Sequence, residues 1–247
     1  ITFLPRFIRD FVTILITSKD IKIKSLYPQL HDYKDNSGVA SGHYFHQDII
    51  VAKWLYSDNP ERHVDIASRI DGFIAHLAVF RKVEVLDIRK LETNEKNIHF
   101  TQHDFTKENT SISNLKSVSC LHSIEHFGLG RYSDAVDAKG HLKGFKNICN
   151  MLATDGVFYF SVPLGPLRIE FNAHRVFSVK YLLDKFIAPN NLIVDRCTVV
   201  QDDSTILNNL NIQEGIKDNF GCTYGVIILK LKKINTRNAS LETVDFL

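Results

Sequence analysis

The sequence is poor in the features that mark extracellular and membrane proteins. Its 247 residues contain four cysteines, Cys120, Cys149, Cys197 and Cys222, which lie far apart and form no Cys-x-x-Cys pair. Three of them fall inside apolar segments, a usage typical of buried reduced thiols in a cytoplasmic protein rather than of disulfides or a zinc site. No apolar run approaches the length of a membrane span, and no signal-peptide cleavage pattern is present.

Excess charge of one sign is also scarce. The net charge is +2, acidic and basic residues are interspersed, and charged residues make up 23% of the chain. This balance describes a solvated mixed surface rather than a field that attracts nucleic acid, so no nucleic-acid partner is predicted. The length suits one large α/β domain, or such a domain with a small appendage.

Several motifs of nucleotide and hydrolase chemistry are missing. The turn after the first predicted strand contains only Gly72, whereas a dinucleotide loop needs several glycines, so NAD and FAD are disfavoured. No Gly-x-Ser-x-Gly nucleophile elbow occurs. His43-x-x-His46 together with Glu125 and His126 could ligate a metal, but the spacing matches no recognised zinc pattern, and no metal is predicted.

The stretch from His63 to Arg89 has the pattern of a βαβ unit. The pattern predicts a strand at 63–66, a turn at 67–72, a helix at 73–81 and a second strand at 83–87. Apolar residues recur at helical spacing between the two short apolar runs. Because the strands of such a unit are parallel, their carboxyl ends share one edge of the sheet, where ligands of open α/β sheets bind.

The same alternation continues along the chain. Further strands are predicted at 98–102, 118–122, 157–162, about 192–200 and about 223–232, and helices at about 140–152 and 178–186. The fold class predicted is therefore α/β, a Rossmann-like, doubly wound, mostly parallel seven-stranded sheet with helices on both faces. The predicted organisation is an N-terminal helix and linker at 1–37, the Rossmann-like domain at 38–232 and a polar tail at 233–247.

Carboxylates close three successive predicted strands, at Asp65, Asp87 and Asp104. In a nucleoside site Asp87 would accept hydrogen bonds from the ribose diol, Asp104 could accept from the adenine amine, and Asp65 could contact an ammonium group. Asp also favours strand ends and turns for local reasons, which is the structural alternative.

Histidines and arginines cluster near the ends of the later predicted strands. His122, Glu125 and His126 follow the fourth strand, and His122 or His126 could accept a proton from a hydroxyl nucleophile. Asn172, His174 and Arg175 follow the fifth strand. Each could instead be a structural residue, but their coincidence at one edge favours a site.

Two segments before the first strand invite separate interpretations. The stretch 41–48 contains His43, Tyr44 and His46 and is predicted as a loop near the ligand edge, or as an aromatic plug on the core, ahead of a helix. Residues from Phe3 to Ile16 form a basic amphipathic helical stripe, which could lie on a membrane surface or pack against the main domain or a second subunit.

The order of these features resembles the class I S-adenosylmethionine-dependent methyltransferases. The acidic residues Asp65, Asp87 and Asp104, the segment 120–126 and the helix-turn-strand segment 147–163 carry this resemblance. More narrowly, the segments 42–48, 65–72 and 126–132 resemble the branch of that superfamily catalogued as domain of unknown function 268, over about residues 38–200. Relatives commonly have Gly-x-Gly-x-Gly where this chain has Ala67, Arg69 and Asp71.

The resemblance implies S-adenosylmethionine as cofactor and assigns residues to roles. Cofactor-binding residues would be Asp65, Ala67, Ser68, Arg69, Asp87, Ile88, Asp104 and His122. Catalytic residues would be His122, Glu125, His126 and His174, and the acceptor would meet His43, Tyr44, His46, Arg131, Asn172 and Arg175. Arg69 could pair with the methionine carboxylate or with a phosphate of another ligand.

The function predicted is methyl transfer to an oxygen of a small-molecule or carbohydrate acceptor. The protein is predicted to be cytoplasmic, with membrane association and homo-oligomerisation left open. Two rivals stay open. One is a nucleotide-sugar-binding enzyme of glycosyl transfer with Arg69 and Arg175 on the phosphates and His126 as base. The other is a non-catalytic module that docks to a membrane-bound assembly through the helix from Phe3 to Ile16.

Overall fold

The computed structural model describes residues 3–107 and 112–235, and the chain divides into one unit before Ser41 and one from Ser41 onward. In the first unit, helix α1 spans Leu4–Thr17 and a short 3₁₀ turn spans Asp32–Lys34. The ring of Tyr33 contacts Phe3 and lies under the Arg6 guanidinium. The predicted tail lies outside the described residues from residue 236 onward. No helix within the described ranges is long and apolar enough to cross a membrane.

The second unit is built on one large sheet. The strands of this unit are β1 Val64–Ile66, β2 Val83–Asp87, β3 Ile98–Gln102, β4 Leu115–Leu121, β5 Leu152–Leu164, β6 Arg168–Glu170, β7 His174–Val176, β8 Leu192–Val200, β9 Ile206–Leu207 and β10 Gly225–Lys233. Strands β6 and β7 form a separate hairpin, and the other strands form the large sheet. The strand order of the sheet is β3-β2-β1-β4-β5-β10-β8-β9. The first five strands run parallel, and β10 runs antiparallel to both β5 and β8.

The mostly parallel Rossmann-like sheet is confirmed, but it has eight strands where seven were predicted. The additional strand is β9, only two residues long, which folds back on the end of β8 through a turn closed by the Gln201 amide and the Thr205 carbonyl. Two residues are too few to show the alternation of apolar and polar side chains that identifies a strand, so β9 could not be predicted from periodicity. The β6–β7 hairpin lies in a stretch for which no strand was predicted.

The helices cover both faces of the sheet. They are α2 His43–Asp58, α3 Ala75–Ala78 after a π-helical turn at Ile70–Ile74, α4 Gly140–Met151, and α5 Val179–Tyr181, which continues into a π-helical turn at Leu182–Ile187. The alternation of strand side chains fills a separate core on each face. Phe158 and Phe160 of β5 pack with α4 and α5, whereas the intervening Tyr159 packs with α2 and α3.

Two predicted boundaries are wrong for local reasons. Helix α2 begins at His43, so the predicted loop at 41–48 is mostly its first turns. Gly42, with φ +90°, makes the sharp entry that a residue with a side chain rarely adopts. Strand β5 begins at Leu152, so the predicted turn at Asp155 and Gly156 is instead a bulge inside the strand, where the pairing with β4 shifts register.

A buried polar network joins β1 to β4. Because side chains alternate along strands and Asp65 pairs with Ser119 in register, His63 and Asp65 share a face with Ser117 and Ser119. The Ser117 hydroxyl lies 2.8 Å from His63 Nδ1, and His63 Nε2 lies 3.0 Å from the Ser119 hydroxyl, which donates to Asp65. All four cysteines are free and buried.

The same carboxylate fixes the loop after β1. Asp65 accepts from the Ser68 amide at 3.0 Å and from the Ser68 hydroxyl at 2.6 Å, and that hydroxyl accepts from the Leu121 amide of β4. Burial outweighs these hydrogen bonds and raises the pKa of Asp65 to about 6, while burial lowers the pKa of His63 to about 3. His63 is therefore neutral at physiological pH and can occupy the network as a donor at Nε2 and an acceptor at Nδ1.

Because the pKa of Asp65 is raised, the free energy of unfolding depends on pH at this residue. An unfolded Asp titrates near about 3.9, so between about pH 4 and 6 the folded protein binds more protons than the unfolded chain. The contribution of Asp65 to the free energy of unfolding should therefore fall as the pH rises through this range. Asp65→Asn should lose that part of the slope, which urea unfolding at a series of pH values measures.

The control is Asp71→Asn, because Asp71 is an exposed carboxylate of the same loop whose pKa is lowered by its hydrogen bonds from Arg69. It titrates below the tested window, so its variant should keep the wild-type slope. Equal slopes for Asp65→Asn and the wild type would contradict the assignment of this pH dependence to Asp65.

Candidate active site

A cavity of about 300 Å³ opens at the carboxyl ends of β1 to β4. The chain reverses its winding between β1 and β4, and ligands of doubly wound sheets bind at such a switch point. The cavity is lined by Tyr44, Ala67, Arg69, Asp87, Ile88, Arg89, His103, Asp104, Phe105, Thr106, Leu121, His122, Ser123, His126, Phe127, Arg131, Tyr132 and Asp134. Nine of the residues predicted from the sequence are among them: Tyr44, Ala67, Arg69, Asp87, Ile88, Asp104, His122, His126 and Arg131.

Asp87, the last residue of β2, is held by Arg89. Its carboxylate accepts from the Arg89 amide at 2.8 Å and from Arg89 Nη2 at 2.6 Å, and Nε lies 3.1 Å from Oδ1. The Arg89 guanidinium also lies 4.6 Å from the centre of the Tyr132 ring. A carboxylate offers about four lone-pair sites. A ligand that donates two hydrogen bonds to Asp87 must therefore displace part of the Arg89 contact.

Asp104 lies beyond the end of β3, beside an apolar wall. It accepts from the amide and hydroxyl of Thr106 and pairs with Lys107 at 3.1 Å. Burial tends to raise the pKa of Asp104, but these hydrogen bonds more than compensate and hold it below its usual value. Ile88 and Phe105 line the same part of the cavity, so a flat aromatic group could lie against apolar side chains with its polar edge at Asp104.

The loop after β1 leaves room for a ligand although it lacks the usual glycines. Ala67 adopts φ +54°, a left-handed conformation that favours glycine, and it presents only a methyl group to the cavity. The Ser68 side chain turns inward to Asp65. Arg69 turns toward solvent, where it pairs with Asp71 at 2.6 Å. At two of the glycine positions the cavity is therefore lined by the Ala67 methyl group and by an Arg69 side chain that is held by Asp71.

His122, Glu125 and His126 form a connected cluster just after β4. His122 Nδ1 lies 3.0 Å from Glu125 Oε1, and His126 Nε2 lies 3.7 Å from the same oxygen. Burial alone would raise the pKa of Glu125, but the hydrogen bond from His122 and the charges of both imidazoles lower it. Glu125 is therefore ionised and fixes the His122 tautomer with its proton on Nδ1.

The other nitrogen of His122, Nε2, is buried beside the cavity. Within the described part of the chain, His122 Nε2 has no hydrogen-bond partner, and the ring lines the cavity. His122 adopts φ +47°, a strained conformation for a residue with a side chain. An imidazole with a carboxylate on one nitrogen and a free lone pair on the other is suited to accept a proton from a ligand hydroxyl.

Tyr44 and Arg131 frame the opening on the histidine side. The Tyr44 ring lies 4.8 Å from the His122 ring, and burial raises the pKa of Tyr44 to about 12, so its hydroxyl stays a donor. His126 Nδ1 lies 2.7 Å from the Ala173 carbonyl, to which Arg131 Nη1 also donates at 2.8 Å. Burial lowers the pKa of His126, although Glu125 opposes this shift.

The remaining predicted residues do not line the cavity. Asp65 and Ser68 are buried in the network below it, and Glu125 lies behind His122. His43 packs its ring 5.7 Å from that of Tyr224, and the His46 ring lies beside Phe45. Among the described residues, no three His, Cys, Asp or Glu side chains are grouped closely enough to hold a metal.

The three residues that follow β5 have different environments. Asn172 is exposed, and His174 lies 3.2 Å from Glu170 and 5.3 Å from the Tyr224 ring. Arg175 is buried and donates to the carbonyls of Glu125 and Phe127 at 3.2 and 2.7 Å. Arg175 thus supports the backbone that carries the histidine cluster and does not face a ligand.

Sequence reasoning missed several lining residues, among them Arg89, His103, Phe105, Tyr132 and Asp134. Arg89 and His103 lie one or two residues beyond strand ends that were predicted, so the strand-end rule extended by two positions could have found them. Tyr132 and Asp134 belong to a loop with no periodicity. Asp134 accepts from the Gly128 amide, which bends that loop over the cavity.

Solved structures share this fold at low sequence identity. The [4+2]-cyclase SpnF has a TM-score of 0.55 at 10% identity, over 76% of this chain and 81% of its own. A putative sarcosine dimethylglycine methyltransferase from Galdieria sulphuraria has a TM-score of 0.52 at 11% identity, over 75% of this chain and 85% of its own. The N-methyltransferase NodS from Bradyrhizobium japonicum, in complex with S-adenosyl-L-homocysteine, has a TM-score of 0.50 at 11% identity, over 83% of this chain and 92% of its own.

No curated protein matches the chain in sequence. A family model does match, over residues 64–193, which is more than half of the chain. The family model confirms the predicted branch, and the solved structures confirm the predicted fold. The fold is that of the class I S-adenosylmethionine-dependent methyltransferases, and the protein belongs to the family described as Caenorhabditis protein of unknown function, DUF268.

Proposed function

We propose that the protein transfers a methyl group from S-adenosylmethionine to an oxygen of a small-molecule or carbohydrate acceptor. The observation that carries the proposal is the presence, in one cavity, of the Asp87 carboxylate and of a His122 ring whose Nε2 has no partner among the described residues. The first group suits a ribose diol and the second suits an acceptor hydroxyl. The four buried thiols accord with a cytoplasmic location.

The cavity residues fit the cofactor in their order along the sheet. Asp87 would accept from the ribose hydroxyls, and Asp104 would accept from the adenine amine while Ile88 and Phe105 contact the ring faces. Ala67 and Arg69 lie after β1, where Arg69 could turn from Asp71 to the methionine carboxylate. Asp65 would act indirectly by holding this loop. When bound, the cofactor supplies an electrophilic methyl group on a sulfonium.

His122 would be the base. The acceptor oxygen forms its bond to the methyl carbon as the sulfur–methyl bond breaks, with that electron pair going to sulfur and the hydroxyl proton to His122 Nε2. Glu125 would keep His122 in the tautomer that accepts at Nε2 and would stabilise the resulting imidazolium. Alignment of the reacting atoms contributes much of the acceleration for such a displacement, so the walls of the cavity matter as much as the base.

The named activities of structural neighbours support the general chemistry. The Galdieria protein is described as a methyltransferase of sarcosine and dimethylglycine, and NodS as an N-methyltransferase. SpnF, described as a [4+2]-cyclase, indicates that the fold also serves other reactions.

A nucleotide-sugar remains a second candidate ligand because Arg69, Arg89 and Arg131 all line the cavity and could bind phosphates. A thermal-shift series with S-adenosylmethionine, S-adenosylhomocysteine and nucleotide-sugars separates the candidates. We expect stabilisation by the first two alone. Stabilisation by nucleotide-sugars alone would favour glycosyl transfer, and no response to any of them would favour a non-catalytic module.

Asp87→Ala should weaken S-adenosylhomocysteine binding about 10–100-fold, because hydrogen bonds to a charged acceptor contribute about 1.5–3 kcal/mol. Calorimetric titration measures the dissociation constant, and circular dichroism checks the fold. The matched control is Asp184→Ala, which removes an exposed carboxylate outside the cavity, paired with Lys180, and should leave binding unchanged. Equal affinities of Asp87→Ala and wild type would refute the ribose assignment.

His122→Asn should separate cofactor binding from chemistry. Loss of a general base should lower methyl transfer about 10²–10⁴-fold, whereas the affinity for S-adenosylhomocysteine should stay nearly constant. Transfer is measured from tritiated S-adenosylmethionine into a small-molecule extract. His43→Asn is the control, because His43 does not line the cavity. Undiminished transfer by His122→Asn would exclude this residue as the base.

A further inference from the structure

The two ends of the cavity differ in charge. In the strand order β3-β2-β1-β4, the carboxylates Asp87 and Asp104 follow β2 and β3, and Asp134 borders a second cavity together with Asp104. Apart from Asp134, which accepts hydrogen bonds from the Gly128 and Tyr132 amides, the end formed by β1 and β4 has no carboxylate among its described lining residues. It is lined there by Arg69, His122, His126, Arg131 and the Tyr44 hydroxyl, all of which can donate hydrogen bonds.

Arg131 stands apart from the other arginines near this cavity. Arg69 pairs with Asp71 and Arg89 with Asp87, while Arg175 is buried against carbonyl groups. Within the described ranges, Arg131 has no carboxylate within the 4.0 Å limit of an ion pair. Its contacts are the Ala173 carbonyl at 2.8 Å, His126 Nδ1 at 3.3 Å and the Tyr132 ring at 5.2 Å.

These contacts orient the guanidinium without neutralising it. A guanidinium carries five N–H donors, and only Nη1 contacts the Ala173 carbonyl, so most donors remain for a ligand. The His126 contact is not a second acceptor, because His126 itself donates from Nδ1 to the same carbonyl. The guanidinium also lies 5.2 Å from the centre of the Tyr132 ring, which favours this position of the exposed side chain.

Arg131 is also close to the proposed base. His126 and His122 both contact Glu125 Oε1, at 3.7 and 3.0 Å, so the His126 ring and this oxygen connect Arg131 to His122. Arg131 is near enough to Tyr44 to oppose the rise that burial causes in the pKa of its hydroxyl. Because His122 and Arg131 line the same cavity, a ligand that reaches both would present a hydroxyl to His122 Nε2 and a second substituent to Arg131.

We propose that the methyl acceptor carries an oxyanion, a carboxylate or a phosphate, which Arg131 binds beside the hydroxyl that His122 deprotonates. This inference rests on the proposed function and narrows its acceptor to anionic hydroxy compounds. Arg69 is assigned to the methionine carboxylate of the cofactor, so the two arginines serve different ligands. Planar guanidinium groups bind such oxyanions through paired hydrogen bonds.

The test is arginine footprinting with phenylglyoxal, using inorganic phosphate as the oxyanion probe. The full chain is first saturated with S-adenosylhomocysteine, and modification of individual arginine peptides is followed by mass spectrometry. Phosphate at about four times its dissociation constant should slow modification of Arg131 about fivefold, as expected for occupancy-linked protection. Sodium chloride of equal ionic strength is the reference, because it screens charge to the same extent.

Two other arginines are internal controls. Arg62, paired with Glu84 just before β1, lies at the opposite edge of the sheet and should gain no protection from phosphate. Arg69 should be protected by S-adenosylhomocysteine alone. Arg131→Gln should lose the phosphate-dependent rise in melting temperature, whereas Arg62→Gln, which removes the same charge, should retain it.

The outcomes test the anionic acceptor separately from the proposed methyl transfer. Binding of S-adenosylhomocysteine with no phosphate protection of Arg131 would overturn the anionic acceptor and leave methyl transfer standing. Protection of Arg131 by S-adenosylhomocysteine alone would also overturn it, because Arg131 would then belong to the cofactor. Absence of S-adenosylhomocysteine binding, measured by calorimetry on the same sample, would remove the proposed function itself.

Discussion

The arrangement of the cavity depends on one buried carboxylate, Asp65. It accepts from Ser68 and Ser119 and thereby ties the loop after β1 to β4 on the far side of the switch point. The inward direction of Ser68 restricts its two neighbours in the loop. Ala67 adopts a left-handed conformation at the cavity wall, and Arg69 extends to its exposed partner Asp71. Buried donors left without this acceptor would each cost about 1–3 kcal/mol. The loop is therefore held by satisfied hydrogen bonds in place of glycine flexibility.

Charge within the cavity is balanced by local pairs, and these pairs define what a ligand must replace. Asp87 is neutralised by Arg89, which in turn stacks on Tyr132 of the loop above the cavity. A ribose diol would take over part of the Asp87 contact and release the guanidinium toward solvent, since the side chain is 46% exposed. The exchange of one set of charge-assisted hydrogen bonds for another limits the net gain in affinity. Because Arg89 contacts both Asp87 and the Tyr132 ring, binding of a ribose at Asp87 would also affect the loop that carries Tyr132.

Much of this could be predicted because strand order and strand-end residues follow from periodicity. Parallel strands bring their carboxyl ends together, so Asp87, Asp104 and His122 could be assigned to one edge without coordinates. Side-chain direction could not be assigned. Asp65 lies within β1, not at its tip, and the alternation of the strand buries it, while Arg175 turns away from the cavity to bind carbonyls. Arg89 was missed because its role comes from a pair with Asp87 that no periodicity encodes.

Two of the residues with positive φ flank the space where the chemistry is proposed. Ala67 and His122 both adopt positive φ, and they follow β1 and β4, the two strands that flank the switch point. A residue with a side chain in this conformation costs on the order of 1 kcal/mol, so the surrounding structure must enforce it. The Asp65 network does so for Ala67, and the Glu125 contact does so for His122. The strain turns a methyl group and a free imidazole nitrogen toward the same space, which an unstrained continuation of either strand would not achieve.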